Sequence, residues 1–313
     1  MHGSQPPMKR VLITGGSGFV GRKLAQQLLA RGDQVTVLTR DARRAKGELP
    51  AAVRCAAWNP EKAGAWYEEL AIVDAVVHLA GEGVAKRWTD AVKKRIESSR
   101  IDSTRLLVEA IGRAAHKPAV FVSASAIGYY GPQPSDKEID ESAPPGNDYL
   151  ASVCKRWEEA AREVEKFGVR AVQLRIGVVF GDSGGALEKM LIPFKLFAGG
   201  PVGDGKQVVS WVHRDDVVGM LLMAIDNPEI KGPINAVSPN PVTSKELATA
   251  IGNVINRPSS LPAPAFAVKL AMGEASTILL DGMRVIPKRA IELGYEFHRA
   301  RLVPALESIL APK

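Results

Sequence analysis

The chain has 313 residues, room for ~2 domains at the usual ~150 residues each, and its 46% apolar and 24% charged residues exclude a disordered or fibrous chain. A formal charge of +7 opens nucleic acid as a partner, yet the basic residues are scattered among 34 acids and no nucleic-acid-binding pattern accompanies them. No apolar run approaches the ~18–20 residues of a membrane span, and two cysteines, Cys55 and Cys154, are too few for a disulfide framework and point to the reducing cytosol.

Met1-His-Gly-Ser-Gln-Pro-Pro7 reads as a tag remnant or loose tail. Val11-Leu-Ile-Thr14 then predicts a buried strand running into glycine, followed by a helix from Phe19 to Ala30. Gln34 to Thr39 is the second strand, Val53 to Trp58 a weaker third and Val73 to Leu79 a fourth. A long helix is expected over Trp88 to Ala115, with the densest basic stretch, Lys86 to Arg105, on its solvated face. Ala119 to Val122 is the fifth strand, Tyr149 to Phe167 a helix and Val169 to Arg175 the sixth strand. This alternation implies right-handed βαβ units and an α/β, Rossmann-type doubly wound parallel sheet.

The pattern changes after Gly177. Glycine and proline cluster at Gly199 to Gly205, Asp215 to Ile225 reads as a helix, and Pro233 to Val237 as a strand returning to the sheet. Thr243 with Glu246 three residues on is a capping box opening a helix to Ile255, and a proline-rich linker spans Pro258 to Pro264. The expected division is a tail over 1–7, a Rossmann domain over 8–176 with a returning strand near 233–238, and a smaller, mostly helical, discontinuous substrate-side domain over 177–313.

Thr14-Gly-Gly-Ser-Gly-Phe-Val-Gly21 lies between the first strand and the first helix, with Gly15, Gly18 and Gly21 in GxxGxxG spacing. That context makes it a phosphate cradle: the backbone turns tightly at Gly15, approaches a pyrophosphate at Gly18 and packs helix on strand at Gly21. Amides of Ser17, Gly18, Phe19 and Val20 then face the phosphates at the helix start. Past the second strand stands Arg40, with Asp41, Arg43 and Arg44 behind it. A guanidinium there suits a 2′-phosphate and favours NADP(H) over NAD(H), whereas Asp41 would reach a ribose if the strand ended one residue later. No Cys/His spacing resembles a zinc site, so no metal is expected.

The glycine loop, His78-Leu-Ala-Gly81, Ser123-Ala-Ser125 through Tyr130-Gly131, Leu174-Arg175 and Trp211-Val-His-Arg-Asp-Asp216 resemble the extended, sugar-nucleotide-epimerase branch of the short-chain dehydrogenase/reductase superfamily. Ala80-Gly-Glu82, Arg87-Trp-Thr89, Ser99-Arg100, Val153-Cys154, Trp157-Glu158, Gly199-Gly-Pro201 and Val285-Ile-Pro-Lys288 look more closely like its atypical YfcH-like epimerase family, which also carries a SulA-like, cell-division-inhibitor label. The resemblance implies that Leu79, Ala80 and Gly81 line the cofactor. Glu82 would hydrogen-bond the ribose or stay in a surface loop.

In the wider superfamily a YxxxK pair moves the proton. Alignment through Glu158 puts Leu150 in the tyrosine slot and Cys154 in the lysine slot. The superfamily's active-site serine resembles Ser125, and the asparagine that braces the lysine becomes Arg100. Arg100 would hold the cofactor ribose or an anionic substrate, or be a surface residue. Cys154 fills space, serves as an acid/base thiolate beside Arg100, or senses redox state. His213 with Asp216 resembles the motif that anchors the substrate domain. The resulting expectation is an NADP(H)-dependent oxidoreductase or epimerase-like enzyme acting on a small molecule, anionic or sugar-nucleotide, with Ser125 and Cys154 as catalytic candidates. The alternative is a non-catalytic NADP(H)-binding regulator with a protein partner. Neither nucleic acid nor membrane is expected as a partner.

Overall fold

Short runs of valine, isoleucine and leucine bounded by glycine or polar turns form the strands. In a computed structural model, which describes residues 8–311, seven of them lie parallel in one sheet. These are β1 (Arg10–Thr14), β2 (Gln34–Thr39), β3 (Arg54–Ala57), β4 (Ala75–His78), β5 (Val120–Ala126), β6 (Arg170–Ile176) and β7 (Gly232–Ala236). The order across the sheet is β3-β2-β1-β4-β5-β6-β7. The tail expected at Met1–Pro7 lies outside the described residues.

Parallel strands need crossovers, and helices supply them on both faces. One face carries α1 (Phe19–Ala30), with Leu24 and Leu28 buried, and α2 (Ala42–Glu48). The other carries a helical stretch through Leu107 and Ile111, and α5 (Tyr149–Arg162) with Ala161 buried. The strand order reverses between β1 and β4, so a crevice opens beyond their carboxyl ends, where ligands bind in open α/β sheets.

The helix expected over Trp88 to Ala115 is broken in three. It comprises α3 (Asp90–Glu97), a π-helical turn (Ser98–Asp102) and α4 (Ser103–Arg113). The local cause is hydroxyl competition: Ser103 Oγ donates to the Ser99 carbonyl and Thr104 Oγ1 to the Arg100 carbonyl. Such back-bonding bends helices, and a π turn takes up the displaced residue. The helix expected to Phe167 is α-helical only to Arg162; a tighter last turn (Glu163–Phe167) ends at left-handed Gly168.

A second, smaller core gathers Phe180, Trp211, α6 (Gly185–Lys195), and the helix Leu302–Leu310. α7 (Arg214–Asp226) returns to the sheet beside α1, and α8 (Ser244–Ile255) opens on the Thr243/Glu246 capping box. His213 caps α7, its Nδ1 accepting from the Asp215 amide at 3.1 Å. Asp216, fully buried, accepts from Tyr295 Oη at 3.0 Å and from the His298 and Arg299 amides at 2.8 and 3.0 Å. That carboxylate ties α7 to the C-terminal segment.

Candidate functional site

From the end of β1 through the first turn of α1 the backbone leaves no room for a side chain at Gly15, Gly16 or Gly21. Gly15 has a φ of +69°, and a Cβ there would stand 2.8 Å from the Ala80 nitrogen and the Leu79 carbonyl carbon. A Cβ on Gly21 would stand 2.3 Å from the Gly15 oxygen. Gly18 begins α1 in an extended conformation, no side chain caps the helix, and its first turn carries no acid. The Gly18 amide donates to the Gly15 carbonyl at 2.9 Å and closes the turn, while the amides of Phe19 and Val20 meet neither a capping side chain nor a repelling carboxylate, and the cradle fits a diphosphate. Ser17 stands half-buried at the rim.

On the β2 side, the strand ends at Thr39 and Asp41 is the cap of α2, its carboxylate accepting from the Arg44 amide at 3.0 Å. Arg44 pairs with Glu48 at 2.8 Å. Arg40 stands exposed at the strand's tip, without a hydrogen bond or ion pair to any described residue.

On the β4 side, His78 is sealed in. Its Nδ1 meets Thr14 Oγ1 at 2.6 Å, Nε2 meets Ser103 Oγ at 3.3 Å, and burial helped by the charge of Arg100 pushes its pKa down to about 3. It is a neutral brace joining β1, β4 and α4. Leu79 and Ala80 close on Gly15. The Glu82 amide donates to Ser99 Oγ at 2.9 Å; its carboxylate pairs with Lys86, whose hydrogen bond holds it below the usual carboxylate range, and faces Arg95 at 3.9 Å. The structure thus turns Glu82 toward three cations, Lys86, Arg95 and, at longer range, Arg40.

Arg100 occupies the π turn. Its guanidinium carbon is 3.2 Å from where a Cβ on Gly81 would stand and 5.3 Å from the centre of the Trp157 ring. Burial pulls its pKa down, opposed by Cys154, Tyr149 and Glu82. Cys154 is 5% exposed, and burial, reinforced by the carboxylate of Glu158, pushes its thiol up to about 12. At neutral pH it is a thiol, which leaves the thiolate reading without support. Leu150 and Cys154 lie one helical turn apart, both against Gly128.

Ser125, at the end of β5, is buried and donates to Glu158 Oε1 at 2.7 Å. Glu158 in turn forms a two-bond pair with Arg175, both contacts 2.8 Å. Arg175 donates to Tyr130 Oη at 2.9 Å and stacks 3.5 Å from the centre of the Tyr129 ring. Tyr130 donates to Asn235 Oδ1 at 2.6 Å, and burial pushes its pKa up to about 12. Sequence reasoning did not assemble this network. The available signals were a carboxylate on the apolar face of α5 and an arginine in an apolar strand, since such charges are buried only when paired.

The geometry brings the cradle, Leu79, Ala80, Gly81 and Arg100 into one continuous wall and leaves Arg40 at its β2 end. Cys154 and Ser125 continue toward β5, with the Ser125 proton turned toward Glu158. Among the described residues, no group of three or more His, Cys, Asp or Glu could hold a metal ion.

A family profile described as the NAD dependent epimerase/dehydratase family matches residues 11–237, and a domain of unknown function, DUF1731, matches residues 263–309. The chain is similar to the Arabidopsis thaliana "Epimerase family protein SDR39U1 homolog, chloroplastic", 43% identical over 96% of this chain and 86% of that protein. It is 37% identical to the Bacillus subtilis epimerase family protein YfhF, over 97% of this chain and 98% of the relative. The crystal structure of human epimerase family protein SDR39U1 (isoform 2) with NADPH superposes with a TM-score of 0.83 at 34% identity, covering 96% of this chain and 98% of that one.

Proposed function

The chain belongs to the NAD dependent epimerase/dehydratase family, and on that premise we propose that it binds NADP(H) and acts as an oxidoreductase or epimerase-like enzyme on a small oxygenated molecule, anionic or nucleotide-linked. The observation that carries the reading is the acid-free helix start behind Gly15 and Gly18, capped by no side chain, paired with an exposed guanidinium at the tip of the next strand that feels Glu82 at a distance but makes no hydrogen bond to any described residue. The amides of Ser17, Phe19 and Val20 grip the diphosphate where Gly18 lets it approach the backbone, Leu79, Ala80 and Gly81 wall it, and Arg40 clasps the 2′-phosphate. The NADPH in the human SDR39U1 structure supports the choice of nucleotide. When bound, the cofactor supplies hydride chemistry at its nicotinamide.

The chain's own residues bind and orient. The only proton of Ser125 is held by Glu158, so the side chain offers a substrate hydroxyl a lone pair and offers a carbonyl nothing. Cys154 is a covered, neutral thiol and Leu150 is apolar. The proton therefore exchanges with water or a substrate group, without a tyrosine–lysine pair. The two free cysteines support a cytosolic setting.

Calorimetry with NADPH and NADH tests the reading. Arg40→Ala weakens NADPH binding by about 1–3 kcal/mol, the cost of a lost charge-assisted pair, and leaves NADH little changed. Absence of heat with any pyridine nucleotide overturns it. A second reading, a non-catalytic NADP(H)-binding regulator with a protein partner, is favoured by the same commitment of Ser125 and Cys154. Tight NADPH binding with no NADPH oxidation across a panel of carbonyl compounds selects it.

A further inference from the structure

One helix beyond the sheet buries nothing. α9 (Ala265–Met272) is apolar except for Lys269, yet Phe266 and Leu270 are 74% and 76% exposed, and its neighbours lie chiefly in the turn that follows it, Gly273–Ser276. Its approach is pinned to the chain that follows α6: the Leu261 amide donates to the Gly199 carbonyl at 3.0 Å and the Ala263 amide to the Pro201 carbonyl at 2.8 Å. Its far end touches the Rossmann part instead. Arg87 Nη1 donates to the Leu270 carbonyl at 3.2 Å, and Lys93 Nζ meets Glu274 Oε2 at 2.6 Å. Arg87 lies in the loop after β4 and Lys93 in α3, so the segment crosses from one part to the other past the carboxyl end of β4, along the rim of the crevice. The Lys93 carbonyl also accepts from Tyr149 Oη at 3.2 Å, and its ammonium lies 4.8 Å from the centre of that ring. Tyr149 opens α5 one residue before Leu150, which places the tie above the wall that holds Leu150 and Cys154.

We propose that α9 and its turn form a strap across the mouth of the crevice, latched by the Lys93–Glu274 pair and by Arg87, which parts for a ligand to enter or leave. A segment that buries no side chain has little besides its ends to hold it. Both ties are polar and reach solvent, and such contacts are individually weak, so they break without unfolding either part. Gly273, at a φ of +60°, supplies a joint at one end, and the proline run Pro258 to Pro264 a stiff arm at the other. The strap rests on the NADP(H) reading for what it closes over, and its test separates the two.

Full-length wild type, Glu274→Lys, and Lys93→Glu combined with Glu274→Lys are compared by hydrogen–deuterium exchange without nucleotide and by stopped-flow release of NADPH. Glu274→Lys sets two ammonium groups against each other. The amides of α9 then exchange about threefold faster or more, and NADPH leaves faster by a similar factor, the scale of an exposed ion pair turned from attraction to repulsion. Unchanged exchange in β1 shows that the variant is folded. The exchanged pair recovers at least about half of both changes, which the loss of an unrelated local contact would not do. Equal α9 exchange in all three proteins overturns the latch, as does a double variant as loose as Glu274→Lys. Faster exchange in β1 as well makes the pair a prop of the whole fold and overturns the strap. Faster α9 exchange with unchanged NADPH release overturns it too, because α9 then guards no ligand. Failure of the wild type to bind NADPH overturns the NADP(H) reading itself, and the α9 exchange rates then decide the latch on their own.

Discussion

Glu158→Ala tests the buried network most directly. Glu158 and Arg175 are each 3% exposed, and the carboxylate receives two bonds from Arg175 and one from Ser125. Its removal leaves a guanidinium in the interior with Tyr130 Oη, the Glu141 carbonyl and the Tyr129 ring as its remaining company. Breaking one side of a buried pair costs about 3–5 kcal/mol, a large share of the ~5–15 kcal/mol that holds a domain folded. At ~1.5–2 °C per kcal/mol for a chain of this size, the melting temperature falls by about 5–10 °C. Scanning calorimetry at pH 7 reads the shift, with Glu159→Ala, exposed next door, as a control expected within ~0.5 kcal/mol of wild type. Glu158→Met combined with Arg175→Met leaves no uncompensated charge and recovers most of the loss. If Glu158→Ala melts with the Glu159→Ala control, the pair carries no such energy and the argument for a locked Ser125 fails with it.

Three further outcomes follow from the same geometry. His78 has a folded pKa of about 3 against 6.5 when unfolded, so the unfolded chain binds the extra proton; the stabilisation is complete above pH 6.5 and drains away toward pH 3, by up to ~1.4 kcal/mol per pH unit. Urea unfolding of His78→Asn from pH 7 to 4 gives a shallower acid slope than wild type, and parallel slopes would contradict the burial argument. Cys154, covered and with its pKa near 12, does not react with iodoacetamide at pH 8 in the native state and does react in urea; rapid native labelling at this position, read by peptide mass spectrometry, would mean a thiolate. Gly21→Ala pushes a methyl group to within 2.3 Å of the Gly15 oxygen, opens the cradle and abolishes NADPH binding, whereas Gly47→Ala, with open space around it, leaves binding intact. Equal binding by the two variants would refute the close-packed cradle.

The elements that a short window of residues can specify were legible. The glycine spacing at Gly15, Gly18 and Gly21, the Thr243/Glu246 capping box, and the strand–helix alternation over the sheet all rest on contacts within a few positions along the chain. The break at Ser98–Asp102 escaped notice because apolar periodicity on either side is nearly continuous, and one extra residue in a turn changes little in it.

What the chain could not specify locally is which way its buried polar groups turn. Ser125 meets Glu158 across 33 positions, Arg175 meets Tyr130 across 45, and Tyr130 meets Asn235 across 105. A serine proton, a carboxylate or a guanidinium takes its role from whatever partner burial brings within 3 Å, and only packing of strand on helix selects that partner. The amino-acid order by itself therefore determined the phosphate cradle and the sheet that presents it. Tertiary structure alone decided that Ser125 is locked, that Cys154 stays neutral, and that Arg100 stands against Gly81.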